Sequence, residues 1–246
     1  MHATYDEIGV GYERTRRPDP RIERRLHEAL GPATTILNVG AGTGAYEPRD
    51  RRVVAVEPSI EMIRQRPPSA PGTLRAWAAS LPFADRSFDA ALAVLTIHHW
   101  PDPGAGLAEL RRVTTGPCVV LTFDHQAHRQ QWLLDYFPAI ADLDRHLPSP
   151  EAVADALGGG TVEVLPIPHD CLDGFCHSWW RRPHAYLDPA VRAGISGLAR
   201  LPEPAIQRGV ARLADDLASG RWHATHADLL DLDELDGGYR IVTSHP

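Results

Sequence analysis

Glycines at 40, 42 and 44 punctuate the string Asn38-Val39-Gly40-Ala41-Gly42-Thr43-Gly44, which directly follows an apolar run opening at Ile36. Such a turn lets backbone approach a ligand closely and aims the N-terminus of the next helix at it. By itself the string also satisfies the dinucleotide fingerprint, with Ala45 at the last position, so it specifies a nucleotide-type ligand and not one cofactor. A second apolar run ends in Glu57, where a carboxylate can accept both hydrogen bonds of a ribose diol. His125 with His128, and His223 with His226, have spacing that can set two imidazoles on one helical face. No HExxH or paired CxxC accompanies them, so a histidine-rich surface accounts for both pairs and no metal is expected.

What is missing narrows the chemistry further. All 25 positive side chains are arginine, and lysine does not occur. A Walker phosphate loop needs its lysine, and Schiff-base chemistry needs an amine nucleophile, so neither can be built here. The net charge of -7, without a dense basic tract, argues against nucleic acid and favours a small-molecule partner. Cys118, Cys171 and Cys176 make an odd count that reads as thiols, not a disulfide framework. No run approaches the roughly 20 apolar residues of a membrane span, and no signal segment is evident, so a cytoplasmic protein without a membrane partner is expected. Oligomeric state leaves no trace in the sequence.

The elements that must position these residues alternate as in βαβ units feeding a parallel sheet. Strands are expected at 36–39, 53–56, 90–95, 118–123, 161–167 and 238–243, with helical signals at 24–29, 60–66, 106–113 and 130–147. Residues 67–72 read as a proline-rich loop. The segment 171–236 is too long for a connection and has helical stretches of its own, so it reads as a helical substrate cap inserted before the last strand. The expected division is therefore 1–170 for an N-terminal lid and a cofactor-binding α/β core, 171–236 for the cap, and 237–246 for the core's last strand.

In combination, Asn38 to Gly44, Val56-Glu57-Pro58-Ser59 with Met62, and Leu81-Pro82-Phe83 followed by Ser87-Phe88-Asp89 resemble the class I S-adenosylmethionine-dependent methyltransferases. Order and spacing match over most of residues 1–125, and the chain is closest in type to small-molecule, type 11-like members. The Gly238-Tyr239-Arg240 stretch resembles that family's antiparallel final strand, and 12–20 its N-terminal lid. The resemblance implies a Rossmann-like, mostly parallel α/β sheet and S-adenosylmethionine as cofactor, leaving S-adenosylhomocysteine as product. It sets Asn38, Gly40, Ala41, Gly42 and Gly44 against the methionine part, Glu57 with Pro58 on the ribose, and Met62 against the adenine. Backbone of Ala78 and Ala79 would meet the adenine edge, Val94 the methionine amine, Tyr12 would close over the cofactor, and His99 matches a structural histidine. The turn carries Asn38 where the family generally has an acid, and Trp77 stands where an acid is also common; both changes remove negative charge beside the cofactor.

Methyl transfer is an in-line displacement that depends on positioning the acceptor and excluding water. His98 is the candidate base for an acceptor that must lose a proton, because imidazole titrates near neutrality. His177, Trp179, Trp180 and Tyr186 are expected to wall an aromatic or amphipathic substrate, and Arg16 to meet a carboxylate of substrate or cofactor. The expected activity is O-, N- or C-methylation of a small organic molecule. The alternatives are a non-methylating enzyme of the same fold, such as a cyclase, and a nicotinamide-dependent oxidoreductase.

Overall fold

The structure of the protein, a computed structural model, describes residues 3–244. Nine strands form: β1 Thr35–Val39, β2 Arg52–Val56, β3 Thr73–Leu74, β4 Ala90–Val94, β5 Cys118–Phe123, β6 Gly160–Val164, β7 Ile167–Pro168, β8 Glu234–Leu235 and β9 Tyr239–Ser244. Seven make one sheet in the order β3-β2-β1-β4-β5-β9-β6, while β7 and β8 pair as a separate ribbon. Strand β9 pairs antiparallel with β5 and β6, and the pairs among β1 to β5 are parallel.

Near-continuous apolar strands are what a sheet covered on both faces requires. Side chains alternate between two cores with the strand period of two: Ile36, Leu92 and Leu121 enter one, whereas Leu37, Ala93 and Val120 enter the other. The first face is covered by Ile22 and Leu26 of the helix Pro20–Ala29, and the second by Leu107 and Leu110 of the helix Pro103–Val113. Full burial of a leucine such as Leu26 or Leu110 contributes about 1.5–3 kcal/mol. Helices 20–29, 103–113, 150–156 and 189–193 all start with proline behind an Asp or Ser cap. That pairing satisfies an orphan N–H and presets the first turn.

One motif residue, Asp89, proves to be scaffold. Asp89 accepts hydrogen bonds from the backbone of Thr34 and Thr35 at 2.9 and 2.8 Å, and so pins the start of β1. These bonds, with the Thr34 hydroxyl foremost, hold its carboxyl well below the usual range.

The boundaries differ from the sequence reading in five places. The helical signal at 130–147 is broken into short helices 125–129, 133–136 and 140–143, with Pro138 in the last interruption. The helix 150–156 and the short strand β3 were not anticipated. The strand expected over 161–167 stops at Val164 before Pro166, and Ile167 joins the ribbon. A third apolar cluster joins Trp132, Phe137 and Ile140 to Tyr186, Leu213 and Trp222, so the outer helical layer is built from two separate segments and does not begin at 171. Among the described residues no helix is long and apolar enough to cross a membrane.

Candidate active site

The strand order reverses between β1 and β4, and the crevice beyond their C-terminal ends is where open α/β sheets bind ligands. Gly40 closes the end of β1 with φ +68°, and a Cβ there would lie 2.0 Å from Thr96 Oγ1, so only glycine lets the two strand ends meet. The Gly40 and Ala41 amides donate to Val56 O at 2.9 and 3.0 Å, which fixes the turn against the end of β2.

Glu57, 5 % exposed, accepts from the Gly42 amide at 2.8 Å and the Ser59 amide at 2.8 Å. Burial raises its carboxyl above the usual range, with these two amides working the other way. Ser59 Oγ caps the helix Ile60–Arg64 and donates to Asp6 at 2.7 Å, tying the N-terminal segment to this corner.

Beneath the turn, Asn38 Nδ2 donates to Glu47 Oε1 at 2.9 Å, and Glu47 is ion-paired with Arg66 at 2.8 Å. All three side chains are buried. The acid absent at position 38 is thus replaced by one nine residues on, but Arg66 balances its charge. With its amide nitrogen engaged, Asn38 keeps its carbonyl oxygen as an acceptor.

Residues 3–16 fold over the crevice. Tyr5 hydrogen-bonds His99 Nε2 at 3.2 Å and meets Tyr12 edge-on, with ring centroids 5.3 Å apart. Arg16 donates to Tyr12 and pairs with Asp173 at 2.6 Å, and the Tyr46 hydroxyl donates to the same carboxylate at 2.9 Å. Burial opposes the charge on Arg16, but Asp173 and Tyr12 outweigh it and hold the guanidinium firmly protonated. In this structure the carboxylate that Arg16 meets is the protein's own Asp173, while Arg16 also lines the space open to a ligand.

Two cavities result. The first, about 220 Å³, is lined by every residue carried over for the cofactor, Tyr12, Asn38, Gly40, Ala41, Gly42, Glu57, Pro58, Met62, Ala78, Ala79, Val94 and His99, with the exception of Gly44. Gly44 turns away, and a Cβ there would face Glu47 and Arg66 at 3.1 and 3.2 Å. Trp77 lines the same cavity, as do Tyr5, Tyr46, Thr96 and Trp100, which local sequence patterns did not flag. Glu47 was missed as well; Asn38 in a place that generally holds an acid was the only hint.

The second cavity, about 50 Å³, is walled by His98, Phe123, His128, Ile140, Asp144, Phe175, Cys176 and Tyr239, and shares Tyr5, Arg16 and Leu95 with the first. Leu95 adopts φ +48° at this junction. A left-handed conformation at a leucine costs of order 1–2 kcal/mol and tends to persist at functional sites. His98 has a buried Nδ1 without a hydrogen-bond partner, and burial pushes its imidazole down to about 4.

The aromatic substrate wall expected from 177–186 does not face either cavity. Trp180 is 1 % exposed and donates to Ile167 O at 3.0 Å; Tyr186 is fully buried in the outer helical layer and donates to Cys176 O at 2.7 Å. Trp179 packs beside that layer under the Arg182 guanidinium, 4.2 Å from its ring centre. His177 is buried behind His128 at 3.0 Å. Period and composition could not tell these rings from pocket walls, because large aromatics serve both uses. The histidine pairs also separate: His125 bonds Asp144 O, while His128 is buried and not at the surface.

A methyltransferase-domain family model matches residues 37–117, the stretch from the glycine turn to the start of β5. A putative methyltransferase from an antibiotic biosynthesis pathway of Anabaena variabilis superposes with a TM-score of 0.88 at 32% identity, over 94% of this chain and 99% of that one. The chain belongs to the class I S-adenosylmethionine-dependent methyltransferase family. The demethylmenaquinone methyltransferase of Renibacterium salmoninarum is 32% identical over 162 residues, 59% of this chain and 66% of that protein. Other curated relatives are matched over less of their length, as with 38% of an uncharacterized methyltransferase of a Mycobacterium. A Thermotoga maritima methyltransferase described as a possible histamine N-methyltransferase shares 25% identity at a TM-score of 0.53, over 66% of this chain and 84% of that one. Family membership accounts for the seven-stranded sheet with its reversed β9.

Proposed function

We propose that the protein binds S-adenosylmethionine in the first cavity and transfers its methyl group to a small organic acceptor in the second. One observation carries this reading: the two cavities are neighbours that share Tyr5, Arg16 and Leu95 in their walls. The donor set of the first cavity fits the cofactor. Glu57 would accept the ribose hydroxyls, Asn38 and the Val94 backbone would meet the methionine end, and Met62 with Trp77 would flank the adenine. When bound, the cofactor supplies an electrophilic methyl group on a sulfonium.

The remaining work falls to this chain. Tyr5, Tyr12 and Arg16 cover the site and exclude water, while the outer helical layer acts as the substrate cap. Leu95 and Phe123 offer apolar contact to a planar acceptor, and the second cavity's size favours a small one. His98 takes the acceptor's proton. Burial keeps its imidazole neutral at pH 7, so a lone pair is available for the transfer.

Calorimetry with S-adenosylhomocysteine and with NAD, followed by transfer of a labelled methyl group to phenol, amine and enolate acceptors, tests the reading. Binding of S-adenosylhomocysteine but not NAD, with a methylated product, is expected. Turnover of an acceptor without methylation would overturn it.

A further inference from the structure

The helix His125–Arg129 and the segment after Phe175 bring three donor side chains together at the wall of the second cavity. The donor atoms of His128, Cys176 and His177 all lie within 4.8 Å of one another. His128 Nδ1 and His177 Nε2 are 3.0 Å apart. Two neutral imidazoles at that distance either share one hydrogen or aim both lone pairs at a common cation. Zinc, with bonds of about 2.0 Å to nitrogen and 2.3 Å to sulfur, sets tetrahedral donors roughly 3.3–3.6 Å apart. The histidine nitrogens lie 3.0 Å apart and no pair of the three donor atoms exceeds 4.8 Å, so small side-chain shifts reach that range. The Cys176 thiol is free and, among the described residues, makes no hydrogen bond, unlike the Cys171 thiol, which donates to Asp173 O at 3.6 Å.

We propose that His128, His177 and Cys176 form a site for one zinc-type divalent ion whose fourth position opens into the second cavity. Two imidazoles and a thiolate are the ligand set that favours zinc over magnesium or calcium. His128 and Cys176 both line the cavity, together with Asp144, whose carboxylate is paired with Arg200 at 3.0 Å. His128 and His177 are both buried, at 5 % and 2 % exposed, so water does not compete for their ring nitrogens. Cys176 would ligate as the thiolate. On binding, the S–H bond breaks, an S–metal bond forms, and the proton leaves to solvent. The fourth ligand, which rests on the reading of this cavity as the acceptor pocket, is an acceptor with an anionic oxygen or sulfur, such as a phenolate or a thiolate. The ion would lower that acceptor's pKa and orient it.

The test uses the full chain, stripped with a chelator and titrated with cobalt(II) alone. One equivalent should bind with a thiolate-to-cobalt charge-transfer band and the visible bands of a tetrahedral ion, and zinc should displace it. Cys176→Ser should abolish the charge-transfer band and weaken zinc binding by at least about a hundredfold. Cys118→Ala with Cys171→Ala should leave the band in place. The wild-type spectrum carries the test even where a buried replacement unfolds. An octahedral cobalt spectrum, or less than one equivalent bound, would overturn the proposal and identify a hydrogen-bonded histidine pair instead. S-adenosylhomocysteine binding measured on the same samples reports on the first cavity alone, so failure of the metal site and failure of the methyltransferase reading are distinguishable.

Discussion

Replacing Asp173 by alanine should release the cover of the first cavity. The carboxylate is 1 % exposed and is the joint acceptor for Arg16, at 2.6 Å, and the Tyr46 hydroxyl, at 2.9 Å. Its removal leaves the Arg16 guanidinium, whose side chain is 10% exposed, charged and unpaired. Breaking a buried pair from one side costs about 3–5 kcal/mol. For a chain of this size each kcal/mol lowers the melting temperature by about 2–4 °C, so a fall of about 6–20 °C is expected. Arg16 and Tyr12 line the first cavity, so loosening the N-terminal segment would remove two of its walls. If closure absorbs about 3 kcal/mol of the loss, the Kd for S-adenosylhomocysteine rises on the order of a hundredfold. Asp173→Asn keeps the shape and one acceptor oxygen and should fall between. Differential scanning calorimetry, hydrogen exchange over residues 3–16 and isothermal titration report these effects. An alanine variant with wild-type melting, unchanged protection and a Kd within about threefold would refute the reasoning.

Gly40→Ala should lose measurable cofactor-product binding and about 2 kcal/mol or more of stability, because its Cβ would sit 2.0 Å from Thr96 Oγ1 at a left-handed φ; urea unfolding checks this. Glu57→Ala removes the acceptor of the Gly42 and Ser59 amides, and binding of S-adenosylhomocysteine should weaken by about 2–3 kcal/mol; equal affinity in calorimetry would rule out the ribose role. His98→Gln should lower kcat by about 10²–10⁴ for an acceptor that loses a proton while leaving the Kd for S-adenosylhomocysteine unchanged. The same residue makes the fold acid-sensitive. Its imidazole falls from its ordinary value near 6.5 to about 4 on folding, so between those values the unfolded chain binds more protons and stability drops as pH falls. Urea titrations at pH 7 and pH 5 should differ by about 2 kcal/mol from this group, a difference missing in His98→Gln.

Local spacing determined a large part of this protein. The glycine turn after an apolar strand, Glu57 at the end of the next, and the Leu81 to Asp89 stretch are short-range signals, and they led to the mostly parallel sheet with its reversed last strand and to most of the residues that line the first cavity, though not to β3. Backbone geometry explains that success: a turn that must reverse direction and approach a ligand permits few residue types, so it leaves a signature within a few positions. The second cavity left none. His98 comes from the end of β4, His128 from a helix after β5 and Cys176 from the far segment, and they meet only because the outer helices pack over the sheet. Trp180 and Tyr186 illustrate the same limit, since an aromatic ring buried in a core and one facing a ligand read alike along the chain. Asn38 lies between the two cases: the sequence records the missing acid, but only packing brings Glu47 and Arg66 beneath it, since that contact depends on how the loop after Gly44 folds back under the turn.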